Sequence, residues 1–236
     1  MPIHPAPAYT PLSKLPNFDP RAVPVIGIDT HLPAVRAAAL APAALRERFV
    51  SPPNWEPEVW CEPKFAERQP ARASVLVPIV MRGDRPTVIL TERTTHLSTH
   101  SGQVAFPGGK RDETDTDDAH TALREAHEEI GLEPAHVEVI GQLPTYTTGT
   151  QFVITPVVAL VDPGHTLTLN AFEVADAFEI PLEFLMNPAH HHRHMIEWAG
   201  ARREWFSMPY MDGAAERFVW GATAAMLRNF YRFLAA

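Results

Sequence analysis

Glu125, Glu128 and Glu129 place three carboxylates within five residues, and the chain reaches them through Pro107, Gly108 and Gly109. At about 100° per residue the three glutamates fall together on one side of a helix, and Glu125 and Glu129 stand one turn apart as direct neighbours. Like charges so placed repel. An exposed acidic helix face tolerates such a cluster, but the glycine turn upstream argues for chemistry. Glycines take positive φ and let the backbone approach a ligand closely. A hard divalent cation such as Mg²⁺ binds carboxylate oxygens together with substrate phosphates and water, and it would relieve the repulsion.

The element that must carry these groups is a helix over residues 117–130. Ala119, Ala122, Leu123, Ala126 and Ile130 recur at three- and four-residue intervals, which gives one buried stripe. Gly131 ends it as a C-terminal cap, with Pro134 soon after.

Arg124-Glu125-Ala126-His127-Glu128-Glu129-Ile130-Gly131-Leu132 resembles the second half of the Nudix box, G-x5-E-x7-R-E-U-x-E-E-x-G-U with U aliphatic, Ala126 being small at the first U. The first half departs from it: Lys110 and Thr116 occupy the glycine and glutamate positions. Counted from Gly109, the loop is one residue too long and Asp115 stands where the loop glutamate would be. Asp115, Glu113 and Asp117 are the candidates for that role.

A second motif precedes the box. Ile89-Leu90-Thr91-Glu92-Arg93 followed by Gly102-Gln103-Val104-Ala105-Phe106-Pro107-Gly108-Gly109 resembles the signature of the coenzyme A pyrophosphatase branch of the Nudix family, with no gap in spacing. Ile89, Thr94 and Ser98 depart from it, Ser98 replacing an arginine suited to pairing with phosphate oxygens. Arg93, Lys110 and Arg111 remain as substrate-binding cations. The resemblance continues through Thr155-Pro156-Val157-Val158, Phe178-Glu179-Ile180-Pro181-Leu182 and Phe218-Val219-Trp220-Gly221-Ala222-Thr223-Ala224, and so covers residues 72–234.

The resemblance implies a Nudix fold, a mixed β-sheet sandwiched between α-helices in the α/β (α+β) class. It implies that Glu125, Glu128 and Glu129 hold Mg²⁺ or Mn²⁺, that Arg124 fixes the loop and Glu125 by ion pairing, and that Gly108 and Gly109 approach the substrate. The general base is Glu125 or a carboxylate from a later loop, for which Glu173 is the candidate. The reaction implied is cleavage of the diphosphate of coenzyme A or an acyl-CoA to 3′,5′-ADP and 4′-phosphopantetheine. Another nucleotide, such as a dinucleotide or nucleotide sugar, and a non-catalytic nucleotide sensor are the alternatives. A homodimer is also expected from the resemblance.

With 236 residues and 45% hydrophobic content the chain can bury a full core. Its formal charge of −8 argues against general affinity for nucleic acid or an anionic membrane, since both need a basic surface. The sequence has no 18-residue apolar run, its first residues lack signal-peptide character, and its single cysteine, Cys61, allows no internal disulfide. These features point to the cytoplasm.

Residues 1–70 hold 14 of the 24 prolines and read as an N-terminal arm ahead of a Nudix domain at 71–236, with short helices only at 34–40 and 43–49. Residues 74–81 and 87–93 read as a hairpin, 137–143, 152–161 and 173–180 as further strands, 182–186 as a brief helix, and 195–198 with 204–208 as a late hairpin. Residues 217–234 read as one closing helix. His190, His191, His192 and His194 lack the spacing and companions of a closed zinc site. Tyr146, Trp198 and Trp205 could stack on a base, though core packing suits each better.

Overall fold

The computed structural model describes residues 12, 18–59, 61–64, 69–94, 102–198 and 201–236. Strand β1 (Val25–Ile28), a 3-10 turn at Ala37–Leu40 and helix α1 (Pro42–Val50) come first. Strands β2 (Ala71–Val80), β3 (Thr87–Arg93), β4 (Val104–Ala105) and β5 (Gly108–Lys110) lead into helix α2 (Asp118–Ile130). Then follow β6 (Val137–Gln142), β7 (Tyr146–Thr147), β8 (Phe152–Val161), β9 (Val174–Pro181) and the single turn α3 (Leu182–Leu185). Strands β10 (His192–Trp198), β11 (Ala201–Asp212) and β12 (Ala215–Trp220) precede the closing helix α4 (Gly221–Ala235).

Two sheets result, a mixed sheet of eight strands with the path β4-β3-β2-β8-β6 and an antiparallel sheet ordered β1-β10-β11-β12. β2 and β8 run parallel at the centre of the larger sheet, in register from Ala71 with Phe152 to Val80 with Val161. Both are apolar without alternation because both of their faces are buried. Leu76, Val80, Val157, Ala159 and Val161 pack under Ala122, Ala126 and Ile130 of α2. On the opposite face Val77, Ile79, Val158 and Leu160 join Leu227, Phe230 and Phe233 of α4. This is the expected α+β arrangement of a mixed sheet between helices.

The expected hairpin of β2 and β3 forms over only two residue pairs, Ile79 with Val88 and Val80 with Thr87. Farther along the same edge of β2, Gly108, Gly109 and Lys110 of β5 pair with Val75, Ser74 and Ala73. The glycine turn is therefore a strand of the central sheet. The expected helix over 217–234 is corrected at its start: residues 215–220 pair with β11, and the helix begins at Gly221. Phe218 and Val219 are buried there as strand residues, one toward each face of the small sheet.

The proline-rich arm contributes Val35, Leu40 and Leu45 to the same apolar cluster as Val77 and Phe230. Its expected short helices are the 3-10 turn and α1, and Pro42 opens α1 rather than breaking it, since proline is tolerated in the first helical turn. The strand β1, absent from the sequence reading, pairs with β10.

Candidate active site

Helix α2 starts where the Asp117 carboxylate accepts the His120 N–H at 2.8 Å, and it ends at Gly131 with φ of 66°. Thr168 and Asn170 N–H groups then donate to the last helix carbonyls, those of Ile130 and Glu129, at 2.8 and 2.9 Å. This docks residues 168–173 against the helix terminus.

The three glutamates do not share one environment. Glu129 is 3% exposed and faces the sheet. Its Oε2 accepts the Gly108 N–H at 3.0 Å and its Oε1 lies 3.6 Å from an Arg93 guanidinium nitrogen. Glu125 is half-buried, and its carboxylate fills the space over Gly109: a Cβ built on Gly109 would stand 2.5 Å from Glu125 Cδ. A Cβ on Gly108 would meet the Ser74 carbonyl oxygen and lie 2.6 Å from Val75 Cα. Gly108 is thus required sterically by the backbone of β2, whereas a side chain at Gly109 would displace the Glu125 carboxylate. Glu128 points outward and pairs with Arg124 at 3.0 Å. Glu125 thus stands between the two, sharing Arg124 with the exposed Glu128 and one helical turn from the buried Glu129.

Arg124 is the hub beneath this pair. Its Nε and a terminal nitrogen donate to the two oxygens of Asp115, each at 2.9 Å, and it also reaches Glu125 at 3.0 Å and the Lys110 carbonyl at 3.1 Å. Asp115 is buried, and this paired contact holds its carboxyl far below the usual range. Of the three loop carboxylates that the sequence offers, Asp115 is the one on Arg124; Asp117 caps the helix and Glu113 is exposed. Arg111 spends its guanidinium on the Asp115 and Thr116 carbonyls, at 3.1 and 2.9 Å, and so braces the loop. Lys110 is exposed beside it at the end of β5.

Electrostatics single out the buried pair. Burial raises the Glu129 carboxyl to about 7, with the charges of Glu125 and Glu173 adding to the rise and the Gly108 N–H and Arg93 opposing it. Burial likewise raises Glu125, against the pull of Arg124 and with help from Glu128 and Glu173. Glu173 therefore lies close enough for its charge to be felt by both. Its carbonyl accepts the Thr94 N–H at 3.1 Å, which ties it to the end of β3 beside Arg93.

Two hard carboxylates that resist ionising alone, set over a turn with no side chains, fit a divalent cation completed by phosphate oxygens and water. Among the described residues, no three His, Cys, Asp or Glu side chains already stand together as a complete ion cage.

The other sequence candidates lie elsewhere. His191 is buried between the Leu185 carbonyl and Arg228, and burial lowers it to about 4. His194 bridges the Val23 carbonyl and Ser207 Oγ, at 2.9 and 2.8 Å. Tyr146 is buried with its hydroxyl on Glu62 at 3.1 Å, and Trp205 is buried against Phe18 and His194. Trp198 lies on the β10–β11 hairpin. Ser98 lies outside the described residues.

Residues 70–206 match the model of the NUDIX domain. The protein called "Uncharacterized Nudix hydrolase NudL" of Escherichia coli O7:K1 (strain IAI39 / ExPEC) is 42% identical over 159 residues, which cover 67% of this chain and 80% of that protein. Its namesake in Yersinia enterocolitica serotype O:8 is 42% identical over 157 residues, or 66% of this chain and 78% of the relative. Among solved structures, a binary complex of a C. elegans Ap4A hydrolase superposes with a TM-score of 0.41 at 18% identity, over 50% of this chain and 85% of the other.

Proposed function

Because this chain belongs to the Nudix family, we propose that it is a metal-dependent hydrolase that cleaves the diphosphate of coenzyme A or an acyl-CoA into 3′,5′-ADP and 4′-phosphopantetheine. The observation that carries the reading is the half-buried Glu125 and the buried Glu129, both raised, set over Gly109 and Gly108 with Arg93 alongside. The branch signature from Ile89 to Gly109, in which Ser98 replaces an arginine, supports the substrate class.

Glu125 and Glu129 would hold Mg²⁺ or Mn²⁺, with Glu128 free to swing in from Arg124 as a further ligand. When bound, the ion supplies charge neutralisation and polarises phosphate oxygens. Gly109 lets the Glu125 carboxylate lie close against the backbone, and an ion held there would bind the diphosphate beside it. Arg93 would pair with phosphate oxygens as negative charge builds on them, and Lys110 would add an exposed cation at the rim. Arg124, locked by Asp115, keeps Glu125 directed over Gly109. A carboxylate would take the proton of the attacking water as it enters in line with the leaving phosphate; Glu125 and Glu173 are the two candidates for it.

The test is product analysis by mass spectrometry after incubation with coenzyme A and Mg²⁺ or Mn²⁺, beside a Glu129→Gln variant and a panel of dinucleotides and nucleotide sugars. Phosphopantetheine formed by wild type and lost in the variant is the expected result. Cleavage of another panel member alone would replace the substrate and keep the chemistry, and no cleavage of any member would overturn the hydrolase reading.

A further inference from the structure

Arg217 belongs to β12 of the smaller sheet, yet it spends its guanidinium on the larger one. Its terminal nitrogens bond Glu92 of β3 at 3.1 Å and Asp176 of β9 at 2.6 Å, with Asp212 of β11 at 3.2 Å. Its Cζ lies 4.1 Å from the centre of the Phe178 ring, and 15% of the side chain is exposed. Glu92 and Asp176 stand directly opposite each other on paired strands. Like charges so placed repel, and Arg217 bridges them.

The pairing changes immediately beyond this point. β3 and β9 keep one register from Thr87 with Pro181 to Glu92 with Asp176, after which Arg93 pairs with Val174 and Ala175 is left over as a bulge. The alternation of β9 reverses there. Phe178 and Asp176 lie on the Arg217 side, whereas Val174 is buried in the cluster under α2. β3 shows no reversal: Ile89 packs under α2, and Arg93, four residues on, reaches Glu129 of that helix. The bulge also sets the turn before β9. The Glu173 carbonyl accepts the Thr94 N–H at 3.1 Å, and the Glu173 and Val174 N–H groups donate to the Asn170 carbonyl at 2.9 Å each. Paired without the bulge, Arg93 would face Ala175, Val174 would leave the apolar cluster and the bond between Thr94 and Glu173 would break.

We propose that Arg217 is a positioning residue, which clamps Glu92 to Asp176, fixes the register at the bulge and so keeps Arg93 and Glu173 directed at the diphosphate. The clamp stands on the pairing alone; its target rests on the diphosphate-cleaving reading above.

The experiment compares the full chain with Arg217→Met, Arg217→Lys and the charge-free combination Glu92→Gln/Asp176→Asn/Arg217→Met. Amide hydrogen exchange at Thr94 and Glu173 is followed by nuclear magnetic resonance, and kcat and KM are measured with coenzyme A, or the nucleotide that wild type cleaves, and Mg²⁺. Arg217→Met should exchange faster at these two amides while the amides of α2 keep wild-type rates. Its kcat should fall about tenfold with little change in KM, since an ångström of misplacement costs about a hundredfold. The charge-free combination should restore both, because no like charges remain to part the strands. Arg217→Lys cannot span two carboxylates as a planar fork does, so it should show the same effects in smaller measure, and it carries the test if Arg217→Met does not fold. Wild-type exchange at Thr94 and Glu173 in the Arg217 variants, or an unchanged kcat, would overturn the positioning role. Faster exchange there in Arg217→Met, with no nucleotide cleaved by wild type, would overturn the proposed function and keep the clamp.

Discussion

Glu129 carries a carboxylate into the interface between α2 and the sheet, where one backbone N–H and a guanidinium at 3.6 Å only partly replace water. Its carboxyl rises to about 7 from an unperturbed 4.5. Below pH 4.5 both folded and unfolded chains hold this proton and the group contributes nothing adverse. Between there and pH 7 the unfolded chain ionises while the folded one resists, so metal-free stability is lost as pH rises through that window. The loss amounts to about 3 kcal/mol above it. Glu129→Gln should match wild type in metal-free urea unfolding near pH 4 and exceed it by about 3 kcal/mol at pH 8; a difference that stays flat with pH would contradict this. The triplet is legible in the sequence, whereas the burial of Glu129 is not, since its carboxylate groups it with Glu125 and Glu128 on one side of the helix. It follows Ala122 by seven residues, nearly two full turns, and so falls on the apolar stripe.

At the scale of elements, the box loop and α2 are joined by the two-pronged contact between Arg124 and Asp115. The Asp115 side chain is fully buried and that of Arg124 only 19% exposed, so screening by water is weak. Asp115→Ala should cost about 3 kcal/mol in urea unfolding, because it leaves a largely buried guanidinium short of its main partner. It should also slow turnover by loosening Glu125, and an unchanged unfolding midpoint would show that Glu128 and Glu125 suffice for Arg124. The sequence could not choose among Asp115, Glu113 and Asp117, because a loop one residue longer than the family pattern breaks the register that would have decided it. The strand at residues 215–220 was hidden for a related reason. Phe218 fits a helical stripe as well as a strand, and only its pairing with Pro209 distinguishes the two.

For the whole molecule, the open question in the sequence was how the proline-rich arm relates to the rest. Arg228 of α4, 1% exposed, bonds Asp29 at 2.9 Å and Glu58 at 2.7 Å, and Arg193 of β10 makes a second contact with each. These pairs hold both carboxyls below their ordinary values in spite of burial. Together with Leu40 and Leu45 in the main core, they lead us to propose that residues 18–59 and the Nudix region unfold as one unit. Arg228→Met should destabilise the protein by about 3 kcal/mol, since the buried Asp29 and the more exposed Glu58 lose a shared partner, and should open the arm to limited proteolysis. A variant that unfolds in two separate steps at wild-type midpoints would contradict a single unit. The prolines did announce that the arm has little regular structure. Its anchoring was illegible because it depends on charges separated by well over a hundred positions, whose approach no local pattern encodes.

The central claim is that Glu125 and Glu129 form the ion cradle of a diphosphate hydrolase, and binding of Mn²⁺ measures it most directly. Electron paramagnetic resonance titration of wild type, Glu125→Gln and Glu129→Gln with Mn²⁺, in the presence of α,β-methylene-ADP, should show at least tenfold weaker binding in each variant. Wild-type affinity for Mn²⁺ in both variants would contradict the account.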